Sequence, residues 1–297
     1  MTGSIGIDTV STPHGRVENV IGGSAVYFSF AAGQYTHVRL VGVVGEDFPA
    51  EFRDLLASGN IDVAGLEIRR GSKTFRWTGK FEGDMNRAET VDIHVNVLAE
   101  AGPKIPASFA DSEVVFLANT HPALQRELLS QVRSPRLSVC DTVDHWIINE
   151  REELIATLKR VSGVILNDGE ARMLMGETNL VTAGRRILAL GPRFVVIKKG
   201  EHGSLLVTAE GVTAVPAYPT ENVKDPTGAG DSFAGGMLGY LCTQSTLDTA
   251  ALRRALVRGT VSASFTIEDF SLGRVLRVTR EELDARVREM TQMLRIE

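Results

Sequence analysis

Asp225-Pro226-Thr227-Gly228-Ala229-Gly230-Asp231-Ser232 is a turn of small residues that runs straight into Phe233-Ala234-Gly235-Gly236-Met237-Leu238-Gly239-Tyr240-Leu241, a small, apolar stretch that predicts a buried helix. The first turn of a helix carries unpaired N–H groups and the positive end of the peptide dipoles, so it attracts anions. Gly228 and Gly230 remove side chains, which lets a phosphate approach the backbone. Asp231 then sets a carboxylate beside the place a phosphoryl group would occupy. An anion cradle with a base next to it is the equipment for phosphoryl transfer to a hydroxyl. The structural alternative is that Asp and Ser are ordinary helix caps following an ordinary Pro-x-Gly turn.

The 297 residues leave room for one large α/β domain or two modest ones. Hydrophobic residues at 43% and charged residues at 23% describe a soluble globular chain. A net charge of −5 argues against a broad nucleic-acid surface while leaving room for an anionic substrate at a local positive site. Cys140 and Cys242 lie in apolar segments without metal-ligand spacing and read as reduced thiols of a cytoplasmic protein. The six histidines show neither zinc spacing nor a pairing with a nucleophile. No apolar run reaches membrane-spanning length, and no signal-peptide pattern opens the chain.

From its first residues the chain reads as a strand end turning into a loop, Gly3-Ser4-Ile5-Gly6-Ile7-Asp8, with the strand either short or beginning upstream. Gly22 and Gly23 then open an apolar helix over 24–32, and a glycine pair there lets a ligand lie against backbone N–H groups. A strand is expected at 38–44, followed by a helix through Phe52, Leu55 and Leu56 with Asp47 as its cap. The segments 74–81 and 90–97 alternate like strands, but no long helix follows either one. Arg76 and Trp77 there either reach a ligand or belong to a charged, aromatic edge strand or dimer contact.

The strand–helix rhythm resumes with strands at 114–117, 137–140, 164–166 and 194–198, and helices at 124–132, 154–158 and 168–174. Asn119 and Asp141 fall just past strand ends, where ligands collect in parallel α/β sheets. Asn167-x-x-Glu170 fits a capping box. Lys198 precedes the loop bearing Gly200 and Gly203, and a hairpin joins 204–207 to 211–216. Ser264 lies in a helix over 252–265, and an amphipathic helix over 280–294 closes the chain.

Asp-x-Thr-Gly-Ala-Gly-Asp at 225–231 resembles the signature of the PfkB/ribokinase family of carbohydrate kinases, and the motifs from Gly3 to about Thr266 follow the family's order. The resemblance implies an α/β fold: a ribokinase-like three-layer α/β/α sandwich, single over 1–297, with a small β-sheet lid mainly from residues 10–22 and 69–98. It implies an ATP-dependent kinase that transfers the γ-phosphoryl group to a hydroxymethyl group of a small sugar. Asp231 would be the base, and the backbone at Gly228, Ala229 and Gly230 the anion hole. Asp8, Gly22, Gly23, Asn119, Asp141 and Arg76 would meet the acceptor. Asn167, Lys198, Gly200, Gly203, Thr227 and Ser264 would meet the nucleotide. Asn167 and Glu170 would hold magnesium through water, and Asp225 would neighbour a monovalent cation such as potassium.

Tyr27 or Phe28 stands near the position where the family commonly has Asn, which leaves the acceptor open. Gly-Gly-Ser-Ala also resembles adenosine-kinase-type members, and Tyr27, Phe28 and Trp77 offer aromatic faces to a base, so a nucleoside is the alternative and a cyclic polyol a third. Sugar phosphates are disfavoured, since no basic cluster accompanies Arg76 and Lys80. From another class, a non-catalytic ligand-binding member of the fold is weighed against by the intact 225–231 string. The resemblance also implies a homodimer through the lid.

Overall fold

The computed structural model describes residues 1–295. Up to residue 104 the elements are β1 (Gly6–Thr12), β2 (Gly15–Gly22), α1 (Ser24–Gly33), β3 (Val38–Gly45), α2 (Ala50–Ser58), β4 (Ile61–Arg69), β5 (Phe75–Phe81) and β6 (Ala88–His94). Then come β7 (Val114–Leu117), α3 (Pro122–Ser130), β8 (Leu137–Cys140), α4 (Asp144–Asn149), α5 (Arg151–Leu158), β9 (Gly163–Asn167), α6 (Asp168–Met175) and α7 (Leu180–Leu188). The chain finishes with β10 (Phe194–Lys198), β11 (Ser204–Thr208), β12 (Gly211–Val215), α8 (Ala229–Cys242), α9 (Thr249–Thr266) and α10 (Arg280–Met293). Two compact units result: one from Met1–Lys104, Tyr218–Gln244 and the chain from Val257 on, the other from Ile105–Ala217 and Ser245–Leu256.

The second unit is a six-stranded sheet in the order β12-β11-β10-β9-β8-β7. Its strands β7 to β10 run parallel, and β11 and β12 add an antiparallel hairpin. Short, wholly apolar runs such as Val195-Val196-Ile197 are what a sheet covered on both faces requires. Helices α3, α5, α6 and α7 contribute Leu128, Leu154, Leu158, Leu174 and Ile187 to that core.

The first unit holds a four-stranded sheet, β2-β1-β5-β6, and a separate parallel pair, β3-β4. Strand β1 runs through Asp8 to Thr12, so Asp8 lies inside a strand and not in a loop after one. Its extended conformation is held on both sides, by β2 antiparallel and by β5 parallel. Strand β5 is therefore interior, which corrects the expectation of an edge strand at Arg76 and Trp77. Asp47 does not cap α2, whose cap position is Pro49; its carboxylate instead accepts from the Thr74 N–H at 2.6 Å and pairs with Arg76 at 3.4 Å.

Helices α1 and α8 are buried nearly all round, and they meet backbone to backbone. A Cβ on Gly235 would collide with the Phe28 carbonyl oxygen and lie 2.9 Å from the Ala31 Cβ, and one on Gly239 would lie 2.9 Å from the Ala32 Cα. Gly259 of α9 approaches the Phe233 carbonyl in the same way. Glycine inside a helix costs about 1 kcal/mol in propensity relative to alanine, yet here alanine would have to displace backbone. We expect Gly235→Ala to destabilise the protein by about 1–2 kcal/mol, overpacking outweighing the propensity gain, as measured by urea unfolding.

Candidate active site

The turn before α8 is fixed from two directions. Asp225 is buried, and its Oδ1 accepts from the Thr227 N–H at 2.9 Å, which folds the chain back tightly. Gly228 then takes the left-handed conformation, φ 75°, as the N-cap residue of α8. That conformation favours glycine, and a Cβ there would also run into the ring of Tyr27. Residues 228–231 are all half-buried, so the first turn of α8 reaches solvent, and Asp231 on that turn is not folded into the core. Its carboxylate sits where the helix dipole favours negative charge.

Asp8 lies close enough to Asp225 and Asp231 to feel both charges. It is 4% exposed, and burial first and the Asp225 charge second push its carboxyl up to about 7; the Gly23 N–H works against them. Burial raises Asp225 as well, against the hydrogen bonds from Thr227 and Ser271. Asp8 Oδ1 has no hydrogen-bond partner although it is buried, which is the condition of a group built to meet a ligand hydroxyl.

The glycine pair has a different purpose from the one its sequence suggests. A Cβ on Gly22 would occupy the position of the Asp8 carboxylate, and one on Gly23, φ 98°, would lie 2.5 Å from the Ser4 carbonyl oxygen. The N–H groups opening α1 are already used: Ser24 N donates to Ser4 Oγ at 3.1 Å and Ala25 N to Ser4 O at 2.9 Å. Gly22 and Gly23 thus make room for Asp8 and for the Ser4 cap, and α1 offers no open N-terminus to an anion.

Side-chain alternation sorts the sheet residues. Asp8 is paired with Trp77, and Ile7 with Arg76, in the parallel β1–β5 register. Asp8 and Trp77 therefore share one face of the sheet and Arg76 the other. Arg76 bonds Asn19 Oδ1 at 3.1 Å and pairs with Asp47, so it is not brought to Asp8. Trp77 is half-buried and oriented by its Nε1–H donating to Thr90 Oγ1 at 3.1 Å. Tyr27 at 1% and Phe28 at 5% exposure are core residues with no face open to a base.

In the second unit, Asn119, Asp141, Asn167 and Lys198 follow or end β7, β8, β9 and β10 on the same edge of the parallel sheet. Asn119 Oδ1 accepts from Trp146 Nε1 at 2.9 Å, and Asp141 is buried. Asn167 and Glu170 form a capping box, Glu170 N donating to Asn167 Oδ1 at 2.8 Å and Asn167 N to Glu170 Oε2 at 2.7 Å. Gly200 and Gly203 have φ of 54° and 78°, and Gly203 lies against the end of β12, leaving no room for a Cβ. Ser264, in the first unit, is not brought to the acidic cluster: its hydroxyl donates to the Val261 carbonyl at 2.7 Å and accepts from Arg286 at 3.0 Å. Tyr27 and Ser271, by contrast, belong to that cluster and carried no signal in the sequence beyond Tyr27 standing near an expected Asn.

A family model, described as pfkB family carbohydrate kinase, matches residues 4–277. A cytidine kinase of Thermococcus kodakarensis is 33% identical over 244 residues, which cover 80% of this chain and 86% of that one. The chain belongs to the pfkB family of carbohydrate kinases. Its members move a phosphoryl group from ATP to a hydroxyl of a sugar or nucleoside, with a divalent metal, and this chain is a kinase of that kind. A nucleoside kinase of Burkholderia thailandensis solved with inosine matches this pfkB-family chain in fold, with a TM-score of 0.78 at 20% identity over 97% of this chain and 96% of that one. A fructokinase of Vibrio cholerae solved with fructose, ADP and calcium gives 0.76 at 18% identity over 97% of each. These neighbours share the ribokinase fold expected from the motifs. Among the described residues no helix is long and apolar enough to cross a membrane.

The Asp8 shift has a measurable consequence. An acid that holds its proton up to about 7 in the fold, against about 3.9 unfolded, stabilises the fold fully at low pH and loses that stabilisation as pH rises toward 7. Asp8→Asn cannot ionise, so relative to the parent it should gain about 2–3 kcal/mol between pH 5 and pH 8. Urea midpoints at the two values give the difference.

Proposed function

We propose that this kinase phosphorylates the hydroxymethyl group of a nucleoside. The observation that carries the reading is Trp77 on the same sheet face as Asp8: an aromatic plane on the face that also bears a buried carboxyl with an unsatisfied oxygen suits a base and the hydroxyls of its ribose. The cytidine kinase relative and the nucleoside kinase neighbour support it. A free sugar is the second reading, since Asp8 would serve its hydroxyls equally well.

In this mechanism Asp231 accepts the hydroxyl proton as the oxygen forms its bond to the γ-phosphorus and the bond to the bridging oxygen of ADP breaks. The N–H groups of the turn from Gly228 to Asp231 hold the charge that develops on the phosphoryl oxygens. Asp8, kept in place by Gly22 and Gly23, orients the acceptor, and Asp141 and Asn119 are assigned to the same task. The sheet carrying Asp8 and Trp77 serves as the lid, and its cover excludes water that would compete as nucleophile. Lys198, Gly200, Gly203 and Thr227 are assigned to the nucleotide. Magnesium would neutralise the phosphates when bound. Asn167 and Glu170 would hold it through water. Potassium beside Asp225 would offset a carboxylate that is buried without a cationic partner among its hydrogen bonds.

Strand β6 is exposed along all seven residues, with Val91 at 59% and Ile93 at 50%. An outer strand of that kind is a template for pairing, so we place a homodimer contact there, to be checked by light scattering of the parent and of Ile93→Lys.

Assayed for ATP consumption against cytidine, adenosine, inosine, ribose, fructose and inositols, the protein should turn over a nucleoside with kcat/KM at least about tenfold above any free sugar. A sugar in first place removes the nucleoside reading and leaves the kinase. Asp231→Asn should keep ATP affinity and stability while lowering kcat by about two to four orders of magnitude. Full activity in that variant would remove the assigned base.

A further inference from the structure

Tyr27 is the large side chain at the centre of the acidic cluster that the mechanism above does not use. It is 1% exposed, and the face of its ring lies directly under Gly228, where an added Cβ would strike Cγ, Cδ1 and Cδ2. Its hydroxyl lies near the side chain of Ser271. Ser271 Oγ donates to the Ile21 carbonyl at 2.8 Å. The Ser271 N–H points to Asp225 Oδ2 at 3.5 Å, and Ser271 itself is held at φ 50°, a left-handed conformation that a serine adopts only when its surroundings impose it. The Tyr27 ring thus lies under the N-cap of α8, and Ser271 near it is bonded to the residue that leads into Gly22.

We propose that Tyr27 is a positioning residue for phosphoryl transfer: its ring, packed under Gly228, sets the height of the turn that meets the phosphate. Burial, reinforced by the charges of Asp8, Asp225 and Asp231, holds the phenol neutral, so it works as a platform and never as a base. A side chain that merely filled the core would be replaceable by an aliphatic one of similar size at a cost in stability alone. A platform for an anion hole is not, because a displacement of about 1 Å at the reacting centre costs about a hundredfold in rate. The inference rests on phosphates meeting the α8 turn; the identity of the acceptor does not enter it.

The test compares Tyr27→Phe, Tyr27→Leu and Tyr27→Met, each checked for folding by its thermal midpoint. With cytidine and saturating MgATP, Tyr27→Leu and Tyr27→Met should lose about thirtyfold or more in kcat with KM for both substrates within about threefold. Tyr27→Phe, which restores the ring, should recover most of that loss and stay within about tenfold of the parent. A folded Tyr27→Leu with kcat within about threefold of the parent overturns the platform, and Tyr27→Met decides in the same way if Tyr27→Leu does not fold. A Tyr27→Phe that loses as much as the aliphatic variants also overturns it, since the ring would then not be what matters. If the parent does not turn over cytidine, the nucleoside reading has failed, and the same comparison is run with the sugar that the parent phosphorylates.

Discussion

The close approach of α1 and α8 is the constraint on which the rest depends. Two helices whose backbones touch through Gly235 and Gly239 cannot slide or rotate on one another without a collision. Interiors packed at that density transmit position faithfully. The direction of α8, and with it the placing of Asp231, is set by a contact that lies wholly in the core. Tyr27 belongs to the same helix α1 that provides this contact, so the support under Gly228 and the glycine seam below it are parts of one rigid arrangement.

Rigidity is what allows three carboxylates to share the site. Asp8 feels the charges of both Asp225 and Asp231, and like charges in a partly buried site repel. A flexible site would relieve that by swinging the groups apart. This one relieves it by letting Asp8 hold its proton up to about 7, while Asp231 stays at the positive end of a helix and partly in solvent. The division sets chemically identical side chains in two different environments, one enclosed in the fold and one open to solvent. Burial separates 4% exposure at Asp8 from the half-buried Asp231.

The turn at 225–231 was legible in the sequence because its chemistry tolerates few residue types: glycine at a left-handed position under a ring, and an acid on the first helical turn. The parallel strands of the second unit were legible too, since continuous apolar runs of four or five residues have few other readings. Strand β4 was missed. Its pairing with β3 shifts register between Arg39 and Val41, and its alternation is broken by charges at Asp62 and Glu67. Gly22 and Gly23 were read as an opening for a ligand, when the tenants are the Asp8 carboxyl and the Ser4 carbonyl. A glycine announces that something comes close; it does not say what. Arg76 was grouped with Asp8 by the family resemblance, but only the parallel β1–β5 register reveals that they point to opposite faces. Ser264 has the size and polarity of a binding residue, and only the position of Arg286 shows that its hydroxyl is committed elsewhere.

That register deserves its own physical account, since a slip of one residue would exchange the neighbours of Asp8. Three glycines on the Asp8 face pin it. A Cβ on Gly6 would collide with Phe75, one on Gly79 with the Trp77 ring, and one on Gly22 with Asp8 itself. Each small residue makes room for one large side chain, so any other register would set a ring against a side chain or leave a gap. With Arg76 beside Asp8, the guanidinium would pull the carboxyl pKa down and the face would attract anions, such as an acceptor that already bears phosphate. With Trp77 there instead, burial governs and the carboxyl holds its proton up to about 7. Glycine placement along three strands therefore reaches through to the charge of residue 8, by way of which side chain stands across from it.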